Sequence, residues 1–171
     1  MTADPGVGTA RAYGSGTMIE FKRILVATDF GESSEQAVLL AIDLADRFGA
    51  TITLLHVYEV PEYVYFNDIQ PRIEGWIAPI RAAASKRLEE ALAKIRGRIP
   101  GATSLLLQGR PGDEIVNAIG KTHPDLVVLG THGRRGLEHV LLGSVAEKVV
   151  RMASAPVLTV RGHVRHATGG A

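Results

Sequence analysis

The chain contains no cysteine. That excludes a disulfide framework, a thiolate metal site and a cysteine nucleophile, and it suits a reducing compartment. Neither sign of charge is in surplus, since 19 Lys and Arg stand against 18 Asp and Glu. Composition therefore does not supply the basic face that a nucleic-acid binder needs. No apolar run approaches the roughly 20 residues that cross a bilayer, and residues 1–17 lack the apolar centre of a secretory signal. No run of His, Asp and Glu has metal-ligand spacing, and His163 and His166 read as a solvated pair. These absences lead to the expectation of a cytoplasmic protein with neither a nucleic-acid nor a membrane partner.

What is present is ordinary for a globular domain: 46% apolar and 22% charged residues over 171 positions, enough chain to bury roughly two-thirds of its unfolded surface as one domain. Residues 1–18 are rich in Gly, Ala, Thr and Ser with almost no apolar pattern, and residues 163–171 are similar. Both are expected to be disordered tails around a folded unit at 19–162. Gly6-Val7-Gly8 and Gly14-Ser15-Gly16 do not follow a strand and lack the third glycine, so neither is a dinucleotide motif.

Between the tails, strand and helix patterns alternate. Arg23 to Ala27 is a short branched apolar run suited to a strand buried on both faces. Ser33 or Ser34 then offers a helix N-cap, Ala37, Ala41, Leu44 and Phe48 follow at helical spacing, and Gly49 supplies a stop. Thr51–Val57 reads as a second strand. A connector from Tyr58 to Gly75 leads to a long helix from about Trp76, with Ile77, Ile80, Ala84, Leu88, Leu92 and Ile95 on one stripe. Thr103–Leu107 is a third strand, and Asp113 caps a short helix carrying Ile115, Val116 and Ile119. Asp125–Leu129, Ser144–Met152 and Pro156–Val160 complete the series as strand, helix and strand. The alternation predicts an α/β fold, a parallel sheet with helices on both faces, in which ligands bind beyond the carboxyl ends of strands where the winding reverses.

The strongest local signal is Gly130-Thr131-His132-Gly133, nine residues, then Gly143-Ser144. Glycines permit positive φ and close backbone approach. Gly143 and Ser144 bring free N–H groups and the positive end of a helix dipole to one point, which suits a phosphate. Ser144-Val145-Ala146-Glu147 is equally a capping box that satisfies the helix's own N–H groups, and spacing alone leaves both readings open. Gly120-Lys121-Thr122 is not a P-loop, because Ile115 stands where the first glycine belongs and the segment precedes a strand.

Val26-Ala27-Thr28-Asp29-Phe30, Leu55-His56-Val57, Asp125 through Gly133, and Leu142-Gly143-Ser144-Val145-Ala146 together resemble the universal stress protein family, over about residues 21–161. The glycine pattern is similar to that of the ATP-binding branch. The resemblance implies a single-domain three-layer sandwich with five parallel strands in the order 3-2-1-4-5, and ATP with Mg2+ on its phosphates. It places Ala27, Thr28 and Asp29 at the nucleoside end, with Asp29 near the ribose or an indirectly held metal, and Val57 presenting its backbone to adenine. Gly130, Thr131, His132 and Gly133 would wrap ribose and phosphates, while Gly143, Ser144 and Val145 would hold the terminal phosphates; the adjoining Arg134 is a further candidate for cofactor binding. Ala27 departs from the proline of many ATP-binding members, and Ala146 from a hydroxyl residue in some.

Asp29 reads as a ligand contact or as a cap for the following helix. His132 is given no acid–base role, and Arg134 and Arg135 either steer a polyphosphate or lie in a solvated loop. The aromatics Tyr58, Tyr63, Tyr65, Phe66 and Trp76 gather near the connector, as loop packing against the sheet, as a lid or as a contact with another subunit. The family resemblance also implies a homodimer through the edge strand Pro156–Val160. The functional expectation is a nucleotide-dependent stress-response regulator with little or no turnover. A slow ATPase or self-phosphorylating enzyme, and a dimeric interaction module with an empty or different pocket, are the alternatives.

Overall fold

The computed structural model describes residues 20–60, 70–131 and 142–162. The expected tails, Tyr63, Tyr65 and Phe66, and the residues from His132 to Arg135 lie outside that range. Strands β1 (Arg23–Ala27), β2 (Thr51–Tyr58), β3 (Thr103–Gln108), β4 (Leu126–Gly130) and β5 (Val157–Val160) alternate with helices α1 (Glu32–Phe48), α2 (Gln70–Arg96), α3 (Pro111–Thr122) and α4 (Ser144–Met152). All strand pairs are parallel, in the order β3-β2-β1-β4-β5. The winding therefore reverses between β1 and β4, as the resemblance implies.

The continuous apolar runs are explained by two cores. Successive side chains of a strand leave on opposite faces. Ile24 and Val26 join Leu54, Val128 and the inner residues of α1 and α2, while Leu25 and Ala27 join Leu55, Val127 and those of α3 and α4. Ile24, Leu25 and Val26 are each at most 1% exposed, so beyond Arg23, which opens the strand and is exposed, β1 has no solvent face on which a polar residue would be tolerated.

Several boundaries differ from the sequence expectation, each for a local reason. Residue Gly31, not Ser33 or Ser34, is the N-cap of α1; Ser34 lies in the first turn, and its hydroxyl accepts from the Gly31 N–H. The end of α1 is as expected, with Gly49 in the left-handed region at φ 63°. Helix α2 begins at Gln70 rather than near Trp76. Its stripe is buried only from Ala84 through Leu88, Leu92 and Ile95, whereas Trp76 remains 69% exposed. In α3, Pro111 occupies the first turn after the N-cap Arg110, a position its fixed φ suits. Asp113 is therefore inside the helix, and its carboxylate pairs with Lys148 of α4. Among the described residues, no helix is long and apolar enough to cross a membrane.

Asp125 precedes β4 instead of opening it. Its Oδ2 accepts from the N–H groups of Lys22 and Arg23, both at 2.9 Å, and its Oδ1 accepts from the Arg23 guanidinium. The Arg23 hydrogen bond and the backbone donors hold its carboxyl below the ordinary value of 3.8. A lowered native pKa contributes stability that is present above the ordinary value and is lost as pH falls through the native one. Asp125→Asn should lower the unfolding free energy at pH 7 by about 1 kcal/mol, mainly through the backbone donors because the Arg23 pairing is exposed. Urea denaturation should show the variant and wild type converging below the ordinary carboxylate range.

Candidate functional site

The carboxyl ends of β1 and β4 meet the start of α1. Thr28 continues β1 by donating its N–H to the Leu55 carbonyl at 2.9 Å. The chain then turns sharply. The Thr28 hydroxyl oxygen accepts from the Phe30 N–H, and Asp29 Oδ1 accepts from the Gly31 N–H, both at 2.9 Å. Short polar side chains that bond the backbone two residues on are natural turn formers. Thr28 Oγ1 lies 3.1 Å from Ser34 Oγ, whose own hydroxyl donates to the Gly31 carbonyl at 2.8 Å. Since that proton is committed, Thr28 donates to Ser34, and the four groups form one hydroxyl chain with consistent donors. Asp29 thus shapes the turn before α1 and is not its cap.

Gly130 is required by packing. A Cβ there would stand 2.7 Å from the Ser33 carbonyl carbon and 2.8 Å from the Ser34 nitrogen, both fixed backbone of α1. Neither Gly130 nor Gly143 uses positive φ: Gly130 is absent from the left-handed residues, and Gly143 has φ −69° and ψ 158°. At these two positions glycine is therefore not needed for its left-handed freedom, contrary to the sequence expectation.

Thr131 donates its N–H to Val160 of β5 at 2.8 Å, and its carbonyl accepts the Gly143 N–H at 2.7 Å. Gly143 is the N-cap of α4, with its carbonyl accepting the Glu147 N–H at 2.9 Å. The expected capping box is absent: the N-cap is Gly143, which has no side chain to cap with, and Ser144 is the first helical residue and is exposed. The N–H groups of Ser144, Val145 and Ala146 precede the first intrahelical bond and have no acceptor within the helix. They stand beside the reversal of the sheet, with the dipole's positive end.

Across that reversal, Val57 offers its main chain. The Leu55 carbonyl points to β1 and the Tyr58 carbonyl to β3, where it accepts the Gly109 N–H. By strand alternation, the N–H and C=O of Val57 point to the β1 side. The last β1–β2 residue pair is Ala27 with Leu55, so this edge lies past the paired part of the ladder. Thr28, Asp29, Val57, Gly130, Thr131, Gly143, Ser144 and Val145 therefore gather at one end of the sheet, with the Ala27 side chain in the core below them. His132, Gly133 and Arg134 fall outside the described residues.

A model of the universal stress protein family matches residues 20–161. The chain belongs to the universal stress protein family. A relative from Thermus aquaticus is 37% identical over 142 residues, covering 82% of this chain and 99% of its own. Among solved structures, MJ0577 of Methanocaldococcus jannaschii superimposes with a TM-score of 0.74 at 25% identity, over 85% of this chain and 99% of that one. A universal stress protein from Archaeoglobus fulgidus in complex with dAMP has a TM-score of 0.55 at 23% identity, over 84% and 99%.

In this universal stress protein, sequence reasoning passed over two residues that the turn uses. Ser34 has the residue type of a cap, and only its place six residues after Thr28 hints at the hydroxyl contact it makes. His56 lay inside a quoted segment, but only pairing with β1 shows which carbonyl its ring reaches. Gly130→Ala should cost about 2 kcal/mol, because the new methyl meets backbone that cannot move aside as a flexible side chain would. Thermal unfolding should register the loss; an unchanged midpoint would show that α1 can shift.

Proposed function

We propose that this universal stress protein is a regulatory protein that binds an adenine nucleotide, ATP carrying Mg2+, with little or no turnover. The observation that carries this reading is the bond from Gly143 N–H to Thr131 C=O, which draws the open N-terminus of α4 to the point where the sheet reverses. The donor set fits a phosphate: main-chain N–H groups without intrahelical acceptors, an exposed Ser144 hydroxyl, and a helix dipole of the right sign. Ser144 and Val145, with Gly143, would hold the terminal phosphates. Thr28 and Asp29 would border the ribose, above Ala27. The Val57 N–H and C=O match the acceptor and donor on the adenine edge. Gly130, Thr131, His132, Gly133 and Arg134 would complete the wall.

The same residues fit a nucleotide-borne ion better than a protein-held one. Among the described residues, no group of three His, Asp or Glu could hold a metal. Mg2+ commonly takes one or two carboxylates plus substrate phosphates, and Asp29 is a carboxylate at this end of the sheet. Bound Mg2+ would neutralise phosphate charge; the chain's own part is to orient the nucleotide. The dAMP held by the Archaeoglobus fulgidus protein supports the adenine assignment.

Charge at the start of α4 separates helix stability from nucleotide binding. An acidic residue there favours the helix dipole but opposes phosphate. Ser144→Asp should fold as well as wild type and lose about tenfold or more in Mg·ATP affinity, a single like charge being worth at least ~1.4 kcal/mol at such a site. Titration calorimetry tests this. Wild type that takes up no ATP at millimolar concentration, or Ser144→Asp binding undiminished, would remove the reading.

The same proposal includes a homodimer through β5. Among the described residues this edge strand pairs only with β4, and Leu158 on it is 36% exposed. A charge on an edge strand opposes edge-to-edge pairing. Sedimentation velocity should find wild type dimeric and Leu158→Lys monomeric; a monomeric wild type would withdraw this part.

A further inference from the structure

The route by which β1 leaves the sheet contains a substitution of one donor for another. In a parallel ladder whose last rung is Thr28 N–H to Leu55 C=O, the next rung would run from Val57 N–H to Thr28 C=O. Here the Thr28 carbonyl instead has the His56 ring against it, with Nδ1 at 2.7 Å. A carbonyl only accepts, so Nδ1 carries the proton and the imidazole is the donor. The side chain of β2 thereby occupies the carbonyl that β2's own backbone would otherwise use.

We propose that His56 is a positioning residue for nucleotide recognition: by taking the Thr28 carbonyl it ends the β1–β2 ladder one rung early and leaves the Val57 main-chain edge open for a purine. The inference rests on the nucleotide reading above and extends it to the base.

Phe30 supports the same geometry. It has φ 61°, a conformation that is uncommon for a bulky residue and that persists only where surroundings enforce it. The enforcement is on three sides. The Phe30 N–H is held by the Thr28 hydroxyl at 2.9 Å. Its ring packs on His56 with centroids 4.4 Å apart at a tilt of 49°, and the Arg87 guanidinium of α2 lies 4.4 Å from the Phe30 centroid. Arg87, Phe30 and His56 thus form one stack that ends on the carbonyl in question. The stack fixes the imidazole, the imidazole fixes Thr28, and the chain turns away at Asp29 without covering Val57.

A purine edge that meets one N–H and one C=O is read by the order of its own donor and acceptor. ATP and GTP present opposite orders, so loss of the open Val57 edge should erase discrimination as well as affinity. The test is titration of full-length protein with Mg·ATP and Mg·GTP. His56→Leu keeps bulk and removes the donor; it should bind Mg·ATP about tenfold more weakly and lose most of the ATP-over-GTP preference. His56→Asn, whose amide N–H can reach the same carbonyl, should recover affinity to within about threefold of wild type. A folded His56→Leu protein with wild-type affinity and preference overturns the inference while leaving the nucleotide reading intact. Wild type that takes neither nucleotide overturns both. If His56→Leu does not fold, Phe30→Gly is the second variant. Glycine adopts φ 61° without strain, so the turn survives without the stack; discrimination should still fall, and unchanged discrimination overturns the proposal.

Discussion

The missing side chain at Gly130 is the constraint on which this end of the molecule depends. It lets the backbone of Ser33 and Ser34 lie directly on the end of β4, closer than any Cβ would permit. With α1 seated there, Ser34 reaches the Thr28 hydroxyl at the end of β1. One close contact thereby joins the two strands between which the winding reverses to the first turn of the helix that covers them. Gly162, beyond β5, sits against the same turn, where a Cβ would lie 3.0 Å from Ser33 Oγ. Three strand ends are gathered on one helix start.

Burial on both faces frames this arrangement. Each strand of the centre sends alternate residues into two separate cores. The alternation also divides labour within three residues of β2. Leu55 and Val57 point their side chains to the α3–α4 core and their main-chain groups to β1. His56 points its side chain to the other face, where it meets Phe30 and the Thr28 carbonyl. A ladder that stops early requires something else to hold its last carbonyl, because an unpaired buried carbonyl is costly. A neighbouring histidine supplies that partner without adding backbone.

Where the sequence misled, a local rule met a competitor. Serine is a good N-cap, yet at both helix starts a glycine takes that place. At α1 the serines are needed further in, one against Gly130 and one in the hydroxyl chain. At α4 the N-cap residue donates its N–H to Thr131, so its position is set by that bond more than by its side chain. Asp113 and Asp125 were placed by the helix and strand they border, but each serves a distant partner, Lys148 in one case and the start of β1 in the other. The Ile77–Ile95 stripe was correctly periodic, but periodicity does not say how much of it meets the sheet.

The sequence by itself determined the number and type of elements, the two-faced burial of the central strands, and through its motifs the family, strand order and end of the sheet to search. Those follow from periodicity and residue type, which act over a few residues and are written in the chain. Only the tertiary structure decided that Gly130 is reserved for a helix, that Ser144 is spared from capping, and that His56 holds a carbonyl 28 residues away in sequence. These depend on which strands become neighbours and in what register, and contacts between distant segments leave no periodic trace in either one.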